Sequence, residues 1–372
     1  PFVMRLFLYI ILALLPLHVM AKSTLATANA DKEQQLLKLL DSYIDKRNTY
    51  SEIKEEKIKK LKLKLRTADN NSSRLNLLNT IYHEYYTYSY DSAMVYANRG
   101  LALAQSVNNA YYTTLNRINR AAVLSTGGFY SQAETLLNEI GENNVPHQLK
   151  QYYYYTTTWL YSYWEAFCDK SEFKDYYRQK KLQILRLTVN TTHSNYVGLY
   201  AYLSGELAYL ENPLGKNVLR HYTIAINNSP VNSRVHASAA YCIARYYREI
   251  GNMQLYEKYI IEAAISDMVC PLKENLALQE LSTYLYKKDT KYADRAARYI
   301  YCSMEDAKFY NNRLRMLEIS SILPIIATAN QEALAHKERI VRGVLAVVSF
   351  LSLVLFAMAI FGYKQNKWLV TS

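Results

Sequence analysis

Apolar residues along most of this chain recur at helical spacing. Between Lys22 and Arg342 they repeat every three or four positions, in segments divided by short polar gaps, without sustained alternation of apolar and polar residues. A spacing of three and four residues places side chains on one face of an α-helix, whereas alternation indicates a strand. The pattern therefore predicts an all-α fold for this region.

One series of positions recurs within the helical region. Its clearest copy reads Ala121, Leu124, Gly128, Ala133, Leu137 and Ile140, and copies with the same offsets start at Ala244 and Leu281. Two antiparallel helices approach closely only where small side chains lie at their crossing point, and one such hairpin needs neighbours to bury its apolar face. This is the spacing of the tetratricopeptide repeat (TPR). It predicts a TPR-like solenoid of antiparallel helical hairpins, about six in number.

Two longer apolar segments lie outside the repeats. The first follows Arg5 and ends in small residues near Ala21, which is typical of a secretory signal peptide, with an uncleaved N-terminal anchor as the alternative. The second, Val344 to Tyr363, has no charged residue over 20 positions. About 20 helical residues span the hydrocarbon core of a bilayer. The second segment therefore predicts a single transmembrane helix.

Together these features predict an order of segments along the chain. We expect a signal peptide over residues 1–21, an N-terminal amphipathic helical segment over 22–73, TPR-like helical repeats over 74–310, a juxtamembrane helix over 311–342 that Pro324 kinks or interrupts, a transmembrane helix over 343–363 and a short cytoplasmic tail over 364–372. A signal peptide directs export of the polypeptide on its C-terminal side, and the late span stops transfer. The bulk of the chain is therefore expected outside the cytoplasm.

Charge, cysteines and motifs narrow the function further. The net charge is +12, yet no nucleic-acid-binding signature occurs and the repeats are expected to be exported, so we expect no nucleic-acid partner. The four cysteines share no short spacing, which gives no expectation of a metal site; a Cys242–Cys270 disulfide and reduced, buried thiols both remain open. Catalytic and phosphate-loop motifs are missing, so we expect neither an enzyme nor a cofactor.

Tyrosine is the outlier of the composition, with 37 copies against 9 Phe and 3 Trp. The densest aromatic cluster supplies the candidate ligand- or partner-binding residues, which are Tyr152, Tyr155, Trp159, Tyr163 and Trp164. A Tyr ring packs as apolar surface while its hydroxyl reaches water or a polar partner. The cluster can therefore serve packing within a thin array, or binding of a peptide or glycan, and the sequence does not separate the two.

Three groups of short motifs occur in order along the chain. They are Leu40-Asp41 through Leu61-Lys62, then Glu84-Tyr85 with Asp91-Ser92-Ala93 and Tyr96-Ala97, and last Phe309 through Arg313 with Glu318 through Ile326. In these motifs the chain resembles a family of bacterial membrane-anchored proteins of unknown function, sometimes labelled transcriptional regulators, with a periplasmic TPR-like sensor region. Such proteins usually continue into a cytoplasmic regulatory segment. The short tail expected here implies either a truncated copy or signalling through a partner.

Two functional hypotheses fit these expectations. The first is a membrane-anchored periplasmic interaction module of the bacterial inner membrane, which senses or signals by binding a protein, a peptide or a glycan. The second is an envelope scaffold or glycan-capture protein without signalling output. Under the first, a protein or peptide partner is expected and a glycan is the further candidate. Under both, the chain crosses the membrane once, with its C-terminus in the cytoplasm.

Overall fold

The computed structural model describes residues 31–273 and 276–371, with side chains through residue 360. Within these residues every regular element is a helix and no strand occurs. The predicted signal peptide lies outside the described residues. The α-helices are α1 (31–45), α2 (Arg47–Arg66), α3 (Asn71–Tyr86), α4 (Tyr90–Ser106), α5 (Ala110–Thr126), α6 (Tyr130–Ile140), α7 (Lys150–Phe167), α8 (Lys174–Thr191), α9 (Val197–Glu211), α10 (Lys216–Asn227), α11 (Arg234–Glu249), α12 (Met253–Val269), α13 (Ala277–Lys288), α14 (Ala293–Tyr310) and α15 (Arg313–Thr371).

Helical hairpins form the body of the described chain. Each consists of two consecutive helices packed on each other, and the six pairs are α3–α4, α5–α6, α7–α8, α9–α10, α11–α12 and α13–α14. Ala121 and Ala133 lie fully buried within one hairpin, as do Ala244 and Ala263 within another. Their small side chains let the paired helices approach closely. The predicted all-α, TPR-like architecture is confirmed.

Local sequence explains where several helices begin and end. The Asn70 side chain caps α3 by accepting a hydrogen bond from the backbone N–H of Ser73, 2.8 Å away. In the turns after α5 and α11, Gly128 and Gly251 have φ angles of +87° and +76°. A Cβ atom disfavours this left-handed backbone region, so glycine is suited to both turns.

The N-terminal helix α1 packs against the last hairpin. Its buried apolar residues, Leu37, Leu40 and Ile44, belong to the same core cluster as residues of α14. Beside them, Asp41 accepts hydrogen bonds from the Arg295 guanidinium at 2.8 and 3.0 Å and from the Tyr299 hydroxyl at 2.8 Å. The start of the described chain is therefore held to its last hairpin.

The turn between α14 and α15 contacts the first hairpins. The Tyr310 hydroxyl donates to the backbone carbonyl of Tyr86 at 2.7 Å and lies 2.7 Å from the Thr126 hydroxyl. Beside it, the Arg313 guanidinium lies 3.9 Å from the centre of the Phe129 ring. These contacts link the end of the last hairpin to the first two hairpins. They also hold the first turns of α15 against the body.

The last helix leaves the body and continues as a long, exposed apolar helix. Leu314, Ile319 and Ile326 are buried, whereas the apolar side chains from Ile340 to Ile360 are exposed. By length and composition α15 can cross a bilayer: its most apolar 18-residue window has a mean hydropathy of 2.6 and is not buried. The alternative in which Pro324 ends a first helical segment is wrong, because Pro324 lies inside one continuous helix, while a kink at Pro324 stays a prediction. A proline removes a single backbone donor, which an otherwise strong helix can tolerate.

Candidate functional site

Three of the five predicted aromatic residues lie in a row along α7. Tyr155, Trp159 and Tyr163 are four residues apart and therefore share one face of the helix. The centres of their neighbouring rings are 6.3 Å apart for Tyr155 and Trp159 and 5.5 Å apart for Trp159 and Tyr163. Trp159 and Tyr163 reach the wall of a cavity, while Tyr155 packs behind Trp159 against the main core.

The other two predicted residues lie elsewhere. The Tyr152 hydroxyl donates to the Asn119 side chain at 2.9 Å, in the contact between α7 and α5. Trp164 is stacked between Tyr130 and Tyr177, with ring centres 5.7 and 4.2 Å away. The structure therefore divides the predicted cluster, and of its five residues Trp159 and Tyr163 line the cavity.

The cavity lies between three hairpins, the start of α13 and the first turn of α15. Its volume is about 200 Å³, and its walls come from α7, α8, α9, α11 and α12, from the start of α13 and from the first turn of α15. The polar and aromatic lining residues are Thr158, Trp159, Ser162, Tyr163, Lys181, Tyr202, Glu206, Arg234, Ser238, Tyr241, Cys242, Arg245, Asp267 and Arg315. Four cations and two carboxylates thus lie on the wall of a small cavity.

Glu206 is the centre of the charged network in the cavity wall. It accepts hydrogen bonds from the Tyr222 hydroxyl at 2.6 Å and from Arg245 Nη2 at 2.9 Å, and Lys181 Nζ lies 3.7 Å away. Burial alone would raise the pKa of Glu206, but the cations of Arg245 and Lys181 and the hydrogen bond from Tyr222 outweigh it and lower that pKa to about 2. The carboxylate is therefore ionised throughout the physiological range.

The cysteines do not form the disulfide that the sequence left open. All four are free thiols. Cys242 donates a hydrogen bond to Glu206 over 3.2 Å, and burial together with the Glu206 charge raises the pKa of its thiol. Cys242 is therefore a buried protonated thiol that belongs to the network around the carboxylate.

Arg234 and the predicted aromatic residues form one unit. The Arg234 guanidinium lies 4.4 Å from the centre of the Trp159 ring and donates to the Tyr163 hydroxyl at 2.9 Å. A guanidinium over an aromatic face is attracted to the ring and holds it in place. Trp159 and Tyr163 are thus fixed in the cavity wall by a cation from the α11–α12 hairpin.

Arg315 connects the cavity to the last helix. It lies in the first turns of α15, its side chain is about nine-tenths buried, and Nη1 donates to Glu318 at 2.7 Å. Its Nε atom is buried without a hydrogen-bond partner, and the same is true of Nε in Arg245. A group bound in the cavity therefore lies beside one arginine of α11 and one of α15, the helix that contains the candidate span.

Sequence reasoning missed the charged part of this wall. One signal was present: Glu206 is the single charged residue between Val197 and Leu210, in an otherwise apolar helix. A lone carboxylate on an apolar helix requires a partner when buried. Arg234, Arg245 and Arg315 carry no comparable signal, because basic residues are common along the whole chain.

Comparison with protein families places most of the chain in a known family model. Residues 44–321 match the family model described as the SusR N-terminal TPR domain. The matched region extends from the end of α1 through all six hairpins into the first turns of α15, so it includes every residue that lines the cavity. No curated protein matches the chain significantly.

Proposed function

This chain belongs to the SusR N-terminal TPR domain family, a bacterial TPR-like sensor and regulator family, and we propose that it is a single-pass membrane sensor that binds a ligand in the cavity. TPR domains generally mediate protein interactions, and all-helical repeats of this kind are typically non-catalytic. We propose binding without catalysis at the Trp159–Tyr163 wall, with a peptide or a glycan as the ligand. Tyr155 supports that wall through its ring contact with Trp159, whereas Tyr152 and Trp164 pack elsewhere on α7.

One observation carries the proposal. Arg315 lies in the cavity wall and also at the start of α15, which continues as one helix to the candidate span. A ligand that contacts Arg315 more strongly in one position of α15 than in another shifts the population of those positions. Occupancy of the cavity can thereby be relayed along a stiff helix to the membrane.

The proposed topology follows from the two apolar segments. The predicted signal peptide directs export of the chain that follows it, and α15 is the single span. The hairpins therefore lie in the periplasm of a bacterial cell, and the C-terminus lies in the cytoplasm. A fluorescent protein that matures only in the cytoplasm, fused after Ser372, tests this orientation. Fluorescence at the inner membrane supports it. A dark fusion whose repeats resist protease added to spheroplasts contradicts it.

The relay is tested by breaking α15 between the body and the span. Around Pro324, Ile322, Leu323 and Ile326 pack against the core, whereas Leu334 is 44% exposed and nearly all residues of 331–340 are exposed, so no packing supports the helix there. Leu334→Pro therefore interrupts the helix without removing a buried side chain, and Leu334→Ala is the matched control. Transcripts are compared among wild type, a deletion strain and both variants. A sensor predicts a coherent set of changed transcripts in the deletion strain, reproduced by Leu334→Pro and not by Leu334→Ala.

The same experiment evaluates the scaffold hypothesis. An envelope scaffold or capture protein without signalling output predicts unchanged transcripts in the deletion strain and in both variants. Immunoblots of the membrane fraction show whether each variant is present at the wild-type level. A deletion that changes transcripts, together with a Leu334→Pro variant that is present and behaves as wild type, contradicts relay through α15.

A further inference from the structure

We propose that the cavity binds a small organic oxyanion, whose carboxylate or phosphate group lies against Lys181, Arg245 and Arg315. The inference rests on the proposed function, because it specifies the ligand class of the same cavity. It follows from the unused hydrogen-bond donors in the wall, from the distribution of charge and from the size of the space.

The three cations have donors that the protein leaves unused. Arg245 Nε and Arg315 Nε are buried without a hydrogen-bond partner. Lys181 Nζ lies 3.6 Å from Glu165 and 3.7 Å from Glu206, beyond hydrogen-bond distance to both carboxylates. Buried donors in native proteins are nearly always satisfied. Because the side chains of all three residues line the cavity, a ligand with several acceptor oxygens can pair with their cationic groups, whereas an apolar ligand cannot.

The charge of the wall favours a negative ligand. Lys181, Arg234, Arg245 and Arg315 line the cavity together with only two carboxylates, Glu206 and Asp267. Two further carboxylates, Glu165 and Glu318, pair with Lys181 and Arg315 but are not among the residues that line the space. The cavity surface therefore presents more positive than negative groups, and the compensating charges lie behind the wall.

The volume of the cavity and its aromatic lining residues indicate what the uncharged part of the ligand is. A volume of about 200 Å³ is below the range of roughly 300–1,000 Å³ that holds drug-sized molecules. Trp159, Tyr202 and Tyr241 supply aromatic surface with polar edges beside the cations. Such walls suit the body of a small polar molecule, such as a monosaccharide acid or a sugar phosphate, and exclude a folded partner or a long peptide from this space.

Arg315 gives the anion a specific role. Among the three proposed anion contacts, it is the one on α15, and its Nη1 atom is already held by Glu318 at 2.7 Å. Planar guanidinium groups bind carboxylate and phosphate oxygens through fixed, parallel hydrogen bonds. An oxyanion between Arg245 and Arg315 would therefore bridge α11 to the helix that leads to the membrane.

The test uses the full chain in mild detergent and sugar probes that share the glucose ring and differ in the group at C6, which is neutral, a carboxylate or a phosphate. Glucose, glucuronate and glucose 6-phosphate are titrated by calorimetry, with inorganic phosphate as the minimal anion. We expect heat of binding from at least one anion and at least tenfold weaker binding of glucose. Glucuronate and glucose 6-phosphate distinguish a carboxylate ligand from a phosphate ligand.

Two variants two residues apart locate the site. Arg315→Gln removes the proposed contact and should weaken binding of the anion at least tenfold. Arg313→Gln removes a cation of the same helix that lies against Phe129, outside the cavity lining, and should change binding less than twofold. Circular dichroism verifies that both variants are folded. If Arg315→Gln unfolds the chain, Arg315→Lys, which keeps the charge but loses the planar donors, replaces it in the comparison.

The outcomes separate this inference from the proposed function. Equal binding of glucose and the anions, no binding of any anion, or equal effects of the two arginine variants would each overturn the oxyanion proposal. None of these results alters the transcript response to Leu334→Pro. Conversely, if an anion binds at Arg315 but transcripts do not change in the deletion strain, the result supports the ligand class and contradicts the proposed sensor function.

Discussion

Replacing Glu206 with glutamine is expected to destabilise the repeat body strongly. Glu206→Gln keeps the shape and the acceptor for Tyr222 but removes the charge opposite Arg245 and Lys181. The pKa of Glu206 falls from an ordinary value of 4.5 to about 2 in the folded protein. At about 1.4 kcal/mol for each pKa unit, the ionised carboxylate contributes about 3 kcal/mol to the free energy of unfolding.

The same pKa shift fixes the pH dependence. Because the folded-state pKa lies below the unfolded value, the contribution of Glu206 is complete above about pH 4.5 and is lost as the pH falls toward 2. Other carboxylates titrate over the same range in wild type and variant alike. The difference in stability between the two proteins therefore isolates Glu206: it should be largest at pH 6–7 and shrink steadily on acidification.

Urea unfolding of the full chain in mild detergent, followed by tryptophan fluorescence, measures this difference. Glu211→Gln is the matched control, since Glu211 lies on the same helix in an exposed ion pair with Arg186, where a loss of at most about 1 kcal/mol is expected. Equal losses for the two variants would refute the reasoning. So would a difference between wild type and Glu206→Gln that stays constant from pH 7 to pH 3.

Three further changes test other parts of the structure. Gly251→Ala should lower the free energy of unfolding, measured in urea, by about 1 kcal/mol, because the φ angle at this position is positive even though a Cβ atom would meet open space. Gly343→Ala within α15 is the control and should not lower that free energy. Asp41→Asn should loosen α1 from α14 and speed trypsin cleavage around Lys46, while Asp45→Asn, an exposed position, should not. Leu351→Arg should reduce the carbonate-resistant membrane fraction, because an arginine at the centre of a span opposes insertion by about 2.5–3.5 kcal/mol; an unchanged fraction would contradict the assignment of the span.

The hairpins could be predicted because their determinants are local. Ala121 and Ala133 lie within one helical pair, so the requirement for small side chains at a crossing appears as a fixed spacing in the sequence. The apolar part of α15 is visible for the same reason. The continuity of α15 through Pro324 was not predicted, because the contacts that hold its first turns in place come from distant helices.

The cavity could be predicted only in part. Trp159 and Tyr163 were found through the density of aromatic residues, but that density also selected Trp164, which stacks between rings on another face of α7. The four cations come from three different helices, α8, α11 and α15, and their meeting point depends on how successive hairpins rotate about one another. Residue spacing within a single helix carries no information about that rotation.

The contacts between the two ends of the array have a consequence for how the protein folds. In an open repeat array each unit depends only on its neighbours, so a terminal unit can fray while the rest persists. Here Tyr310 and Thr126 are 184 positions apart in sequence, and Arg295 and Asp41 are 254 apart. Pairing such remote segments slows the search for the native state but makes loss of either end costly to all hairpins. The array should therefore unfold in a single cooperative transition, with its ends among the last parts to acquire native contacts during refolding.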